Sequence, residues 1–237
     1  MTAPARRPLV ACYGGTFDPV HLGHVGAALD VCARTGCDRL LMLPAAEPPH
    51  RGLPGAGAGQ RLHMLRLAVA DAADEAGASC IVVDDRELHR PGPSYTVDTL
   101  CALRAELGDD VALGWVLGTD ALAELTSWHR WRELVELAHL LVLERPGHEL
   151  PSAGELGALL AERRVGSLDA LREAPGGRLW CVGQRPVEVS ATAVRAHLEA
   201  LAAEGATGGA EHACDGLLSP SVWAYIRREG LYGVPRA

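Results

Sequence analysis

The chain has 237 residues, of which 48% are hydrophobic, and a formal net charge of −8. This length can bury a substantial core, and we predict a single domain over residues 1–237 with a helical C-terminal portion from about residue 190 to 237. The acidic balance argues against a general nucleic-acid binder, which is usually basic, so no nucleic-acid partner is expected. No apolar run is long enough to cross a bilayer, so no membrane association is expected.

The seven cysteines are scattered and form no C-x-x-C pair. This pattern favours reduced thiols in a cytoplasmic protein over a disulfide scaffold or a zinc site. The first eight residues contain two arginines and no apolar stretch, so we expect no secretory signal. The chain contains no lysine, and contacts to a phosphate must therefore come from arginine, histidine or backbone N–H groups.

Short apolar runs alternate with segments of helical period. We predict strands at 9–13, 39–43, 80–83, 111–117, 140–143 and 187–189. We predict helices at 25–34, 60–73, 96–107, 132–137 and from residue 190 to about 203. Repeated β-α units with apolar strands predict an α/β fold, a doubly wound parallel sheet with helices on both faces. Ligands bind such sheets beyond the carboxyl ends of the strands.

The segment GGTFDPVHLGH, from Gly14 to His24, follows the first predicted strand and leads into the first predicted helix. A connection of this kind turns backbone N–H groups and the positive end of the helix dipole toward an anion. Gly14 and Gly15 allow the backbone to approach a phosphate closely. His21 and His24 are three residues apart and share one face of the first helical turn. A histidine pair is often only a polar helix end, but here it continues the glycine segment and predicts chemistry on a nucleoside triphosphate.

A second candidate phosphate site lies near the C-terminus, in the segment SATAVR from Ser190 to Arg195. Ser190 is a natural N-cap for the helix that follows. Thr192 and Arg195 then fall in its first turns, near the exposed N–H groups. A guanidinium at a helix N-terminus suits a triphosphate tail or a departing pyrophosphate. Many capped helices show this pattern, and its significance comes from the pairing with the N-terminal segment.

The two segments resemble the GxFDPxHxGH and ISSTxxR signatures of the nucleotidyltransferases of the T/HIGH superfamily, with Ala191 at the second serine. Between them, residues 44–51 are similar to PxxxPPH[K/R], 87–100 to ExxRxGPSYTxxTL and 118–128 to GxDxxxxxxxW. The RPG at 145–147 and the closing VxxYIxxxxLY at 222–232 complete the resemblance to bacterial nicotinate-nucleotide adenylyltransferases. It extends from about residue 9 to 232, and the stretches 149–178 and 205–216 fit it poorly.

The resemblance implies a Rossmann-like fold and adenylyl transfer from ATP to nicotinate mononucleotide, giving nicotinate adenine dinucleotide and pyrophosphate in NAD biosynthesis. The 5′-phosphate would attack in line, without a covalent intermediate. Mg²⁺ is expected on the triphosphate, held mainly by phosphate oxygens and water. Nicotinamide mononucleotide or phosphopantetheine as acceptor, and a sensor that binds nucleotide without turnover, stay open as alternatives. The sequence also leaves the oligomeric state open, a homo-oligomer included.

By this resemblance the expected site residues fall into three groups. The catalytic contacts to the phosphates are assigned to His21, His24 and Arg195. The ATP side is assigned to Gly14, Gly15, Thr16, Phe17, Asp18, Gly23, Arg51, Gly118, Asp120, Ser190 and Thr192. The acceptor side is assigned to His50, Ser94, Tyr95, Thr96, Trp128, His129 and Arg145. In the family the pyridine ring lies against the residue that matches Trp128, and backbone N–H groups matching Thr96 and His129 contact its carboxylate.

Overall fold

The computed structural model describes residues 6–47, 54–76, 79–144, 150–183, 189–203 and 213–236. Within this part of the chain the strands are β1 (Leu9–Gly15), β2 (Arg39–Pro44), β3 (Ile81–Val83), β4 (Ala112–Gly118), β5 (His139–Glu144) and β6 (Leu179–Gly183). They form one sheet in the order β3-β2-β1-β4-β5-β6, and each neighbouring pair is parallel. None of the described helices is long and apolar enough to span a membrane.

Helices cover both faces of the sheet. The described helices are α1 (Leu22–Thr35), α2 (Ala58–Ala76), α3 (Thr96–Leu107), α4 (Thr119–Ala123), α5 (Trp131–Leu137), α6 (Gly154–Arg163), α7 (Leu168–Leu171), α8 (Ala191–Ala203) and α9 (Pro220–Glu229). Apolar residues of α1, α2, α8 and α9 pack in one hydrophobic cluster on the first face. Those of α3, α5 and α6 pack in a second cluster on the opposite face.

Each central strand contributes to both clusters, as β1 shows. Leu9 and Ala11 belong to the first cluster, whereas Val10 and Cys12 belong to the second. Successive side chains of a strand point to opposite faces, so a strand covered on both sides is a continuous apolar run. This is why the strands could be predicted from the sequence, and the predicted parallel sheet is confirmed.

The structure also corrects the prediction in places. β1 continues to Gly15, because Gly14 and Gly15 still pair with the end of β2. α1 begins at Leu22 rather than at residue 25. β6 was not predicted; it lies at the edge of the sheet, and the middle of its LWCVG sequence is only partly buried. Of the strand predicted at 187–189, residues 187 and 188 lie outside the described residues, and residue 189 is not in a strand.

The sheet topology places the site. β1 lies between β2 and β4. The chain leaves β1 through α1 and enters β2 on one side, whereas β4, β5 and β6 extend the sheet on the other side. The connections therefore diverge between β1 and β4, and a crevice opens at their carboxyl ends. Open α/β sheets bind their ligands at such a switch point.

Candidate active site

A cleft of about 890 Å³ opens at the carboxyl ends of β1 and β4. Residues from the N-terminal segment, from the loop before α3, from the β4–α4 connection and from α8 line it together. The lining residues that the sequence predicted are Gly14, Gly15, Thr16, Phe17, Asp18, His24, Ser94, Thr96, Gly118, Asp120, Trp128 and Arg195. The fold thus brings both predicted phosphate segments and part of the predicted acceptor side into one cleft.

The two glycines that end β1 lie against aromatic rings. A Cβ atom on Gly14 would stand 2.6 Å from the ring of Trp115, and one on Gly15 would stand 2.9 Å from the ring of Phe17. Real Cβ contacts are not that short, so any other residue would push the strand end out of place. The sequence prediction did not include Trp115, which also lines the cleft.

The two histidines stack on each other at the start of α1. Their ring centroids lie 3.7 Å apart at an interplanar angle of 28°. His21 is the N-cap residue and is 5% exposed, whereas His24 lines the cleft. The backbone N–H of His21 donates to Nδ1 of His24 at 3.3 Å. A neutral His24 therefore carries its proton on Nε2, where it is a hydrogen-bond donor.

Gly23 fits between the histidine pair and the chain that precedes α8. A Cβ atom there would lie 2.9 Å from Nδ1 of His21 and 3.1 Å from the carbonyl oxygen of Val189. Gly23 is therefore needed for close packing behind the histidines. The resemblance assigns Gly23 to the ATP side, and in the structure it packs behind the histidines and is not among the residues that line the cleft.

The carboxylate of Asp18 joins three parts of the chain. It accepts hydrogen bonds from the backbone N–H groups of Gly55 at 2.7 Å and Ala56 at 3.0 Å, and from the hydroxyl of Tyr232 at 2.7 Å. Asp18 is 6% exposed. Burial, together with the hydrogen bond to Asp18, raises the pKa of Tyr232. The contacts of Asp18 are those of a residue that holds the wall of the cleft in place.

Arg195 brings the C-terminal segment to the N-terminal one. Its Nη1 donates to the backbone carbonyl of Asp18 at 2.6 Å and lies 3.9 Å from the Asp18 carboxylate. Its Nη2 donates to the hydroxyl of Thr192 at 3.4 Å. The hydroxyl of Ser190 accepts from the N–H of Ala193 at 3.1 Å, which confirms the predicted N-cap. Both Ser190 and Thr192 are exposed.

Arg61 was not predicted, yet it fastens the loops around the cleft. It is 1% exposed and lies in the first turns of α2. Its guanidinium donates to four backbone carbonyls, those of Thr16 at 2.7 Å, Ala45 at 2.8 Å, Ala46 at 3.1 Å and Ala56 at 3.2 Å. Burial lowers the pKa of Arg61, and the nearby charge of Asp18 opposes that shift.

At the α3 end of the cleft, a buried glutamate holds the loop before α3. Glu87 is 4% exposed and lines the cleft. It accepts a hydrogen bond from the hydroxyl of Thr99 at 2.6 Å, and burial raises the pKa of Glu87. The hydroxyl of Ser94 accepts from the N–H of Ala46 at 2.9 Å. These contacts tie the start of α3 to the loop that follows β2.

Trp128 and Thr96 line this end of the cleft, whereas Tyr95 and His129 do not. The rings of Tyr95 and His129 pack on each other with centroids 4.4 Å apart. Tyr95 is the N-cap residue of α3 and Thr96 its first residue. The N–H of Thr96 therefore has no acceptor within the helix.

A family model described as Cytidylyltransferase-like matches residues 12–197. A protein of Sodalis glossinidius (strain morsitans) is 44% identical over 229 residues, which are 96% of this chain and 99% of that protein. A protein of Stenotrophomonas maltophilia (strain K279a) is 47% identical over 234 residues, 94% of this chain and 96% of that protein. Both bear the name "Probable nicotinate-nucleotide adenylyltransferase". The chain belongs to the nicotinate-nucleotide adenylyltransferase family.

Membership of this family makes the chain a nucleotidyltransferase of NAD biosynthesis, as the sequence predicted. The fold is also that of solved structures. The Plasmodium falciparum nicotinic acid mononucleotide adenylyltransferase complexed with NaAD superposes with a TM-score of 0.70 at 15% identity, covering 95% of this chain and 97% of that one. The same enzyme complexed with APC gives 0.68. The predicted Rossmann-like α/β fold is confirmed.

Three residues that the resemblance assigned to the adenylyltransferase site, His50, Arg51 and Arg145, lie outside the described residues. The described residues add Tyr13, Trp115, Glu87, Glu199 and Tyr232 to the lining of the cleft. Among the residues that the structure describes, no group of three or more His, Cys, Asp and Glu side chains could hold a metal ion.

Proposed function

We propose that this adenylyltransferase joins ATP and nicotinate mononucleotide in the cleft between β1 and β4. An oxygen of the 5′-phosphate of the mononucleotide attacks the α-phosphorus of ATP, the bond from that phosphorus to the bridging oxygen breaks, and pyrophosphate leaves. The observation that carries the proposal is the common cleft: His24, Arg195 and Trp128 come from distant parts of the sequence and line it together.

The phosphate end needs charge stabilisation more than proton transfer. The attacking phosphate is already an anion at neutral pH, so no general base is required, and catalysis rests on positioning and electrostatics. We assign Nε2–H of His24 and the N-terminus of α1 to the α- and β-phosphates, with His21 stacked behind to orient the ring. Arg195 holds the β/γ end, and Thr192 and Ser190 lie next to it at the start of α8.

The acceptor end has a flat apolar wall, and beside it the N–H of Thr96 has no acceptor within its own helix. The indole of Trp128 offers a face for the pyridine ring. The N–H of Thr96, at the start of α3, is a donor that suits a carboxylate, and the positive end of the helix dipole adds to that preference. A carboxamide presents N–H₂ donors of its own to this site. The arrangement thus supports nicotinate mononucleotide as the acceptor over nicotinamide mononucleotide.

Mg²⁺ belongs to the proposal as a part of the bound triphosphate. The ion would be held mainly by phosphate oxygens and water. Such an ion would neutralise charge on the departing pyrophosphate. Asp120, in the first turn of α4 directly after β4, is assigned to the ATP side and its ribose.

We place this reaction in the cytoplasm. All seven cysteines are free thiols, and the cytoplasm is the compartment that keeps thiols reduced.

The proposal is tested by measuring pyrophosphate release and dinucleotide formation from Mg²⁺-ATP with one acceptor at a time. The acceptors are nicotinate mononucleotide, nicotinamide mononucleotide and phosphopantetheine. Rapid turnover with the first alone is the expected result. Turnover mainly with either of the others would keep the chemistry and overturn the roles of Trp128 and Thr96. No turnover with any of the three, with ATP still bound, would indicate a nucleotide sensor.

A further inference from the structure

Three of the seven cysteines meet at the end of the sheet opposite the cleft. Cys32 lies in the last turn of α1, Cys37 precedes β2, and Cys80 precedes β3. The Sγ atom of Cys32 lies 3.8 Å from that of Cys37 and 2.9 Å from that of Cys80. Cys32 is therefore the central sulfur of this thiol trio. The proposed adenylyl transfer uses none of the three.

Two separate features of the backbone bring the sulfurs together. α1 ends at Thr35, and Gly36 adopts a left-handed conformation (φ 56°) whose N–H donates to the carbonyl of Cys32 at 3.0 Å. This type of helix end folds the residue after the glycine back onto the last turn, which places Cys37 against Cys32. Cys80 is fixed by the sheet, because its carbonyl accepts from the N–H of Leu40 at 2.9 Å.

The trio contains one activated thiol. The hydrogen bond between Cys37 and Cys32 lowers the pKa of Cys37 to about 7. The same hydrogen bond raises the pKa of Cys32, which keeps its proton. A thiolate is the reactive form of cysteine, and the lowered pKa favours this form at Cys37, which has the Cys32 sulfur 3.8 Å away. Cys37 is 7% exposed, while Cys32 and Cys80 are partly exposed.

We propose that the trio is an oxidation site at which a hydroperoxide, ROOH, converts Cys32 and Cys80 into a disulfide. The Cys37 thiolate attacks the terminal peroxide oxygen, the O–O bond breaks, and sulfenic acid forms while the alcohol ROH leaves. The Cys32 sulfur then attacks the Cys37 sulfur, and water leaves. Cys80 finally attacks the Cys32 sulfur, and Cys37 returns to the thiol. Overall, two thiols and ROOH give one disulfide, ROH and water.

The exchange ends at Cys80 for a geometric reason. A disulfide bond needs its sulfurs about 2 Å apart, and the Cys32–Cys80 pair needs the smaller movement of the two pairs. The link would join α1 to the start of β3, at the end of α1 away from His21 and His24. Oxidation therefore leaves adenylyl transfer in place and raises the urea midpoint of unfolding, because it restricts the unfolded chain.

The test is peptide mapping without reductant of the full chain after treatment with hydrogen peroxide. The expected product is a linked peptide pair containing Cys32 and Cys80, which is two hydrogens lighter than the free peptides and is separated by dithiothreitol. The free-thiol titre falls by two from the seven cysteines of the chain. A titre that stays at seven, a link between other cysteines, or irreversible acids at Cys37 without a link would each overturn the proposal.

Variants test the order of steps. Cys37→Ser should slow formation of the link at least tenfold, because the activated nucleophile is gone. In Cys80→Ser, the oxidation should instead end at a disulfide between Cys32 and Cys37. The control is Cys101→Ser, which removes a partly exposed thiol outside the trio. Burial raises the pKa of Cys101. This variant should form the same link at the same rate as the unmodified chain. Link formation at an unchanged rate in Cys37→Ser would exclude Cys37 as the first nucleophile. Because mapping of the unmodified chain needs no substitution, a variant that fails to fold leaves the main test intact.

Discussion

His21 and His24 stack at one helix start but differ in what they reach. His24 lines the cleft, whereas the stacked His21 is only 5% exposed. Because His24 faces the cleft, it is the ring that we propose as the phosphate donor. The sequence predicts both histidines as phosphate contacts, and their spacing alone does not reveal which ring faces the cleft.

Replacing His24 with alanine should lower kcat about 100-fold to 1,000-fold, as the loss of one well-placed donor to a charged transition state typically does. The free energy of unfolding should change little, because the lost ring faces the cleft. Steady-state kinetics and urea unfolding measure the two effects. His89→Ala, whose side chain is 74% exposed, is the matched control and should keep full turnover. Near-normal turnover of the His24 variant would refute the assigned role.

Arg61→Met should destabilise the fold by about 3 kcal/mol or more, because it leaves four backbone carbonyls around the cleft without their donor. Arg66→Met in the same helix is the control. The side chain of Arg66 is 57% exposed and pairs with Asp85 at the surface, so its loss should change stability by no more than about 0.5 kcal/mol. Urea unfolding compares the two variants. Equal stabilities would show that the four carbonyl contacts contribute nothing.

At the scale of elements, the connection from β1 to α1 can pack closely only because glycines occupy the end of β1 and the second residue of α1. The sequence signature revealed this connection because its glycines and histidines are contiguous. It did not reveal Arg61, whose acceptors are backbone carbonyls that no sequence pattern marks. An available signal was an arginine at helical spacing from the fully buried Met64 and Leu65. Tyr232 was equally hidden as a partner of Asp18, because 214 positions separate the two residues.

Gly23→Ala tests the close packing behind the histidines. The new Cβ would push against the His21 ring and the Val189 carbonyl, so the histidine pair must shift. We expect kcat to fall at least tenfold while the chain stays folded. The control is Gly59→Ala in α2, where a Cβ meets nothing within 4 Å; alanine there should stabilise by about 0.5–1 kcal/mol. Full activity of Gly23→Ala would mean that the histidines tolerate displacement.

At the scale of the whole molecule, burial on both faces made the central strands predictable, and the lack of such burial hid the edge strand β6. β6 has a partly buried middle and an edge position, so its sequence lacks the long apolar run of β4. The contact between Asp18 and Arg195 brings together two segments that lie far apart in the chain, and it follows from the order of strands in the sheet. From the sequence, this proximity could be predicted only because both segments resemble signatures of one family.

His139 makes the stability of the whole molecule depend on pH. It is fully buried at the start of β5, where its Nε2–H donates to the carbonyl of Ala174 at 3.1 Å and its Nδ1 accepts the N–H of Arg178 at 3.1 Å. The ring is therefore neutral in the fold, and a proton on Nδ1 would break the second bond. Burial lowers the pKa of His139 to about 4.

An unfolded histidine has a pKa of about 6.5, so between pH 6.5 and 4 the unfolded chain binds more protons at this residue than the folded chain. The stability that His139 contributes is thus fully present above pH 6.5 and is lost as the pH falls toward 4. The loss should reach about 2 kcal/mol by pH 5. Urea unfolding at pH 7.5 and pH 5 measures it. In His139→Gln, an amide can replace both hydrogen bonds without titrating, and the fall between these pH values should shrink by that amount. An unchanged fall in the variant would assign the acid sensitivity to other groups.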